Sequence, residues 1–304
     1  MSSLEGAGTP PARGWSSRHI AFAVAIVASQ ILFGVLYAQI PPCPDQSELD
    51  YTGWRALHGA RPYVDFVSMN WPGAHWMHMT AIATFGNTIH AWRTADYLLM
   101  LAALAATAAL LRKTFGTTSA VLALVAYPIL FYAGQWLSGQ RDFVCAHLVL
   151  IAFYFHWKSD ETNRLWWQIP AGLCIAAATL IKPTFLAAIF VLPLHGWLIG
   201  CETRANWRRQ LPRSAMLVGT TIAGLFTAFA LLRVEGTPFG RFWDAAIATV
   251  TEAYSARELP LAELFSRFGL WMTNPRWWIT GFAIVSPIIL FGKYGSKDRR
   301  AASM

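Results

Sequence analysis

A chain of 304 residues that is 55% hydrophobic and only 13% charged has the composition of a polypeptide whose main solvent is lipid, which excludes an ordinary soluble domain. Its formal net charge of +8 does not point to nucleic acid, because Lys and Arg fall in short clusters between apolar runs, where they act as orientation signals. The four cysteines, Cys43, Cys145, Cys174 and Cys201, lie in separate runs without CxxC spacing and indicate neither a disulfide framework nor a zinc site.

Residues 1–17 are rich in Gly, Ser and Pro and read as a short disordered lead. The apolar run 20–40 is longer than a signal-peptide core. Leu36 stands where a cut after Ala38 needs a small residue, so the run reads as a retained first span. Pro41, Pro42 and Pro44 end it, since proline lacks an N–H and disfavours a helical residue before it. The segment 41–92 that follows is the polar part of the chain. Asp45, Glu48, Asp50 and Asp65 concentrate four of the sixteen acidic residues here, and a helix is expected over 46–58.

Further apolar runs cover 94–111, 118–134, 142–157, 165–181, 183–200, 214–233 and 270–292, giving about eight spans. Many of the fifteen Trp residues sit near their ends, as an aromatic belt does; Trp71, Trp92, Trp166 and Trp277 are examples. Alternate loops are basic: Arg112 and Lys113; Lys158 and Arg164; Arg204, Arg208, Arg209 and Arg213; Lys293, Lys297, Arg299 and Arg300. The positive-inside rule puts these loops and both termini in the cytoplasm, and 41–92 on the outer face. Residues 165–200 must then cross twice, turning at Lys182-Pro183. In the last outer loop, 234–269, the spacing of Phe239, Phe242, Trp243, Ala246, Ile247 and Val250, and then of Leu261, Leu264, Phe265 and Phe268, predicts two interfacial helices. The sum is an all-α polytopic membrane protein: a transmembrane module over 18–292 and a basic cytoplasmic tail over 293–304.

Each candidate for chemistry has a structural alternative beside it. Asp45 precedes the helix expected over 46–58 and is either an N-cap with Glu48 as its capping-box partner, or a general base at the water–lipid boundary, or both. Asp65 is either catalytic or simply the ion-pair partner of Arg61. His75 and His78 share a helical face, as interface histidines or as a metal pair without a third ligand. Arg141 and Lys182, at the outer ends of spans, either snorkel to headgroups or bind a phosphate together with Arg93. Asp142 and Asp96 are placed to offset part of this charge.

The order of these features, Asp45, then Gly59-x-x-Pro62-Tyr63-x-Asp65, then Asn70-x-Pro72-Gly73, Gly139-Gln140-Arg141 and Lys182-Pro183, resembles the GT-C membrane glycosyltransferases. The likeness is to their dolichyl-phosphate-mannose protein mannosyltransferase and aminoarabinose transferase-like group, and covers about residues 20–200. It implies a GT-C-like bundle that moves a sugar from a polyprenyl-phosphate donor to an acceptor hydroxyl at the outer face of a bacterial inner membrane. It also implies Asp45 and Asp65 as catalytic carboxylates, Arg141 and Lys182 as ligands of the lipid phosphate, and Tyr63 and Asn70 as supporting residues; from their own places in the chain, Arg93 at the start of a span joins the phosphate ligands, and Glu48 and Arg61 join the supporting residues. No cofactor is implied, a divalent ion stays open, and the partners are membrane lipids and the polyprenyl phosphate. The alternative is a catalytically inactive scaffold that serves a membrane-protein partner.

Overall fold

The computed structural model describes residues 17–133, 139–200 and 204–255, together with Glu263 and Ser266. The lead before Ser17, the span expected at 270–292, the tail 293–304 and the face carrying Leu261, Leu264, Phe265 and Phe268 lie outside the described residues. Among those that are described there is no strand.

The long helices are α1 (Ser17–Ala38), α4 (Ala91–Phe115), α5 (Thr117–Ala133), α6 (Arg141–Thr162), α7 (Gln168–Ile181), α8 (Ala188–Gly200) and α9 (Arg204–Val234). Between α1 and α4 come α2 (Pro44–Leu57) and α3 (Pro72–Phe85). After α9 a helical segment runs through α10 (Phe239–Trp243), a π turn at Asp244–Ala248 and α11 (Thr249–Ser255). Every expected span that falls on described residues is therefore helical. Three stretches, Ile20–Ala38, Ala91–Phe115 and Arg208–Val234, are long and apolar enough to cross a membrane. Shorter apolar stretches occupy Thr117–Tyr132, Leu165–Ile181 and Pro183–Trp197. The span expected at 214–233 belongs to a helix that starts earlier, at Arg204, and its polar N-terminal part reaches Asp160 of α6 through Gln210 at 3.0 Å and Arg213 at 2.6 Å.

The helices alternate between two ends of the bundle. At one end Lys113, in the last turn of α4, meets Glu161, at the close of α6, at 3.4 Å, and Arg213 of α9 pairs with Asp160 at 2.6 Å. The basic clusters of three alternate loops thus gather together. At the other end lie α2, α3, the first turns of α4 and α6, the last turn of α7 and the exit of α9, where Thr237 donates to the Pro62 carbonyl at 2.8 Å. The chain reverses at Lys182-Pro183 as expected: α8 heads back until Gly196 faces His156 of α6 and Gln210 of α9.

Small residues allow the close packing. Ala171, Ala176 and Ala178 of α7 are buried where it packs between α6 and α9, as in helix association within lipid, where close van der Waals contact replaces the hydrophobic driving force. A core of Ala81, Trp92, Val144, Cys145, Ala178 and Ile181 ties α3, α4, α6 and α7 together directly beneath the polar end. The first interfacial helix expected in the last outer loop is present, but its apolar face does not lie free. Phe242 and Ala246 pack with Tyr63 and Leu232, with Trp71 and Trp76 beside them.

Candidate functional site at one end of the bundle

The polar segment between α1 and α3 begins with a helix whose start differs from the expectation. Pro44 occupies the first helical position, where its missing N–H costs nothing, so α2 opens two residues earlier than 46. Cys43 is the N-cap, and its N–H donates to Gln46 Oε1 at 3.2 Å, the reciprocal contact expected of Glu48. Asp45 is consequently not the cap. It sits exposed in the first turn, where the helix dipole favours an anion, and has no hydrogen-bond partner among the described residues. Glu48 is exposed one turn further on.

The loop from α2 to α3 is held by its own polar side chains. Asp65 accepts from the Arg61 side chain at 3.0 and 3.1 Å and from the Arg61 backbone N–H at 2.8 Å. These hydrogen bonds pull the Asp65 carboxyl down to about 2 and push the Arg61 guanidinium up. Both groups face solvent, so the pair shapes the loop more than it stabilises the protein. Tyr63 has φ of 64°, a left-handed conformation that a non-glycine residue adopts only when its surroundings enforce it. Its ring is buried, and its hydroxyl donates to the Asn70 carbonyl at 2.5 Å. Burial pushes the phenol well above its ordinary value, so it remains a donor.

Asn70 passes this order on, because its Oδ1 accepts a hydrogen bond from Arg141 Nη1 at the start of α6. Three residues later Gly73 touches α7: a Cβ there would lie 2.7 Å from the Leu180 carbonyl carbon, so only glycine lets the first turn of α3 rest on the last turn of α7. Lys182, which follows, reaches Asp142 Oδ1 at 2.5 Å. Asn70, Arg141, Asp142 and Lys182 therefore meet at the joint of α3, α6 and α7. Arg141 is half-buried, and Lys182 and Asp142 have 39% and 58% of their side-chain surface exposed, so neither cation is sealed from a ligand.

Arg93, expected beside them on the phosphate, is turned elsewhere. Its guanidinium is buried, donates to the Tyr37 hydroxyl at 2.9 Å and to the Pro41 carbonyl at 2.9 Å, and lies over the Tyr37 ring. The Tyr37 hydroxyl in turn donates to Asp96 at 2.5 Å. The arginine ties the exit of α1 to α4, and Asp96 is held through Tyr37.

Two histidines of α3 complete the site. His75 Nδ1 lies 2.9 Å from Thr52 Oγ1, and its ring meets Tyr63 and Phe66 edge-on. His78 Nδ1 lies 2.6 Å from Asp50 Oδ1, and its ring stacks on Trp92 with 3.9 Å between centroids. Both rings are fully buried, and among the described residues neither Nε2 atom has a partner. Burial lowers His75 to about 4; it also lowers His78, although Asp50 pulls the other way. The charge of Arg141 acts on both rings in the same direction as burial. Asp50 and Thr52 carry no role in the sequence reading. The only signal for them is their place on α2, because nothing local joins Asp50 to a histidine 28 residues away. Among the described residues no group of three or more His, Cys, Asp or Glu side chains is arranged to hold a metal ion.

An all-helical membrane bundle with cations and carboxylates gathered at one end defines the class. The sequence profile of the dolichyl-phosphate-mannose-protein mannosyltransferase family matches residues 69–229, from the approach to α3 into α9. The chain belongs to this family and is a membrane glycosyltransferase by that membership. No curated protein and no solved structure matches it. The match takes in Asn70, Gly73, Arg141 and Lys182, whereas α2 with its carboxylates precedes it.

Proposed function

We propose that the protein transfers a sugar from a polyprenyl-phosphate donor to an acceptor hydroxyl at the outer face of a bacterial inner membrane, with both termini in the cytoplasm. The observation that carries this reading is the meeting of Arg141 and Lys182 around Asp142, at the end of the bundle that also holds the acidic helix α2. Family membership supports the sugar transfer, and the gathering of the basic loops at the opposite end supports the orientation.

The chemistry follows from the side chains. Asn70 is a neutral acceptor that occupies one guanidinium N–H of Arg141, leaving others for a phosphate. The Lys182–Asp142 pair is solvent-exposed, and such pairs contribute about 0–1 kcal/mol, so a lipid phosphate can displace Asp142 at small cost. The N-terminus of α6 adds the partial positive charge of its free N–H groups. As the acceptor oxygen attacks the anomeric carbon, the bond to the phosphate breaks and its electron pair stays on the leaving phosphate oxygen. Arg141 and Lys182 stabilise that charge. A carboxylate of α2 takes the acceptor proton; Asp45 is the one that the family resemblance nominates. A single displacement inverts the anomeric centre.

The test combines mass spectrometry of lipid copurified with the protein and transfer assays with lipid-linked sugars. Bound polyprenyl phosphate and turnover are expected. Bound lipid with no turnover from any donor would replace the enzyme with the scaffold reading, and absence of both removes the phosphate site.

A further inference from the structure

The acidic helix α2 offers two carboxylates for proton transfer, and they differ in how they are held. Asp45 projects from the first turn without a partner among the described residues, free to rotate. Asp50 is gripped. Its Oδ1 accepts a 2.6 Å hydrogen bond from His78, and because a carboxylate can only accept, the imidazole must carry its proton on Nδ1. Asp50 Oδ2 has no partner among the described residues, and 24% of the side-chain surface is open.

The grip is itself braced. A Cβ on Gly53 would lie 2.8 Å from the Met79 backbone N, so the helix crossing at this glycine brings α2 close enough for Asp50 to meet His78. The imidazole lies flat on the Trp92 indole, and the indole N–H donates to the Gly139 carbonyl at 3.2 Å. Gly139 precedes Arg141 by two residues in the same short turn before α6. One continuous set of contacts thus fixes an oriented carboxylate and the phosphate-facing arginine relative to each other. A general base depends on such positioning, since its reach to the transferred proton has to be right before its basicity counts.

We propose that Asp50, held by His78, is the catalytic carboxylate that receives the proton of the acceptor hydroxyl, and that His78 is its positioning residue. This rests on the sugar-transfer reading above. In the step, the acceptor O–H bond breaks with its proton passing to Asp50 Oδ2, the acceptor oxygen bonds to the anomeric carbon, and the sugar–phosphate bond breaks with its electrons remaining on the polyprenyl phosphate. Asp50 then gives the proton to water through its open side. Burial, with the Arg141 charge, outweighs the pull of Asp50 and lowers His78, which favours the neutral imidazole. A neutral donor steadies the carboxylate without quenching it, as a cationic partner would.

The experiment uses the full chain, transfer from a lipid-linked sugar, and separate measurement of polyprenyl-phosphate binding, all at matched thermal stability. Asp50→Asn keeps the size of the side chain and an oxygen for His78 to donate to, but cannot accept the proton. Its kcat should fall by about 10²–10⁴-fold while phosphate-lipid binding changes by less than about threefold. His78→Ala should lower kcat by at least about tenfold, and His78→Asn, whose amide N–H can stand near the lost Nδ1–H, should restore most of it. If His78→Ala does not fold, Asp50→Asn decides alone. Turnover of Asp50→Asn within about threefold of wild type overturns this assignment and leaves the sugar-transfer reading intact, as does a loss confined to Asp45→Asn. Absence of wild-type turnover with every donor overturns both.

Discussion

The two ends of the bundle are built from the same residue types and treat them differently. At the basic end the charges are consumed by one another. Arg213, with 6% of its side chain exposed, is saturated by Asp160 at 2.6 Å, Asn163 at 2.8 Å and the Ser159 carbonyl at 3.4 Å, while Lys158 and Lys113 share Glu161. At the site end Arg141 meets a neutral amide, Lys182 an exposed carboxylate, and Asp50 a neutral imidazole. Charge matched to charge in a buried place locks helices together. Charge met by a neutral or solvated partner keeps its capacity for a ligand.

The largest effect on this contrast is expected from Arg213→Ala. Removing one member of a buried pair strands the other, at a typical cost of about 3–5 kcal/mol, to be discounted here because 31% of the Asp160 side chain reaches solvent. Urea or thermal unfolding in detergent should therefore show a loss of about 2–3 kcal/mol, with polyprenyl-phosphate affinity of the folded fraction unchanged. A stability unaffected by the change would mean that the basic end is no lock.

Arg141→Gln should do the reverse, leaving stability nearly untouched and weakening phosphate-lipid binding tenfold to about a hundredfold, as loss of a charge-assisted contact of roughly 1.5–3 kcal/mol implies. Lys182→Gln should fall at the lower edge of that range, since its partner Asp142 is left uncompensated at the surface and repels the phosphate only through solvent. Equal affinities for wild type and both variants would contradict the phosphate site.

A smaller effect is expected from pH at the site end. His75 is held at about 4 by burial against an ordinary value of 6.5, and His78 is lowered likewise. The folded state thus binds fewer protons than the unfolded one, so stability is complete above pH 6.5 and is lost as the pH falls towards 4. Thermal melts should show this loss in wild type and a shallower one in His75→Asn. Superimposable profiles would remove the buried neutral histidine from the account.

The smallest effect belongs to Asp65→Asn. The Arg61–Asp65 pair is present above pH 3.8 and lost as the pH falls through about 2, so it adds nothing to the histidine window. The substitution should leave global melting unchanged and only raise protease sensitivity of the loop after α2. A turnover loss as large as that expected of Asp50→Asn would show that Asp65 touches substrate.

Much of the architecture was legible because it is local. Apolar runs, the prolines after α1 and the alternation of basic loops depend on neighbours in the chain, and the helices and their two-ended order follow them. The Arg61–Asp65 pair, four residues apart, was legible for the same reason. The start of α2 was misread only by two residues, since Pro44 looked like the end of one segment and was the first residue of the next. Arg93 looked like a free cation at a span end because nothing nearby in sequence reveals Tyr37 and Pro41, which lie more than fifty residues back.

Taken alone, then, the sequence determined which segments are helices, where they turn and which loops share a side, because hydrophobic period and charge act over one or two turns. The tertiary structure decided what each polar side chain faces. Asp50 meets His78 across 28 residues, Lys182 meets Asp142 across 40, and Arg141 meets Asn70 across 71. The first and last of those meetings depend on how closely two helices cross, and that closeness is set at Gly53 and Gly73 by the backbone of a helix that neither glycine has as a sequence neighbour.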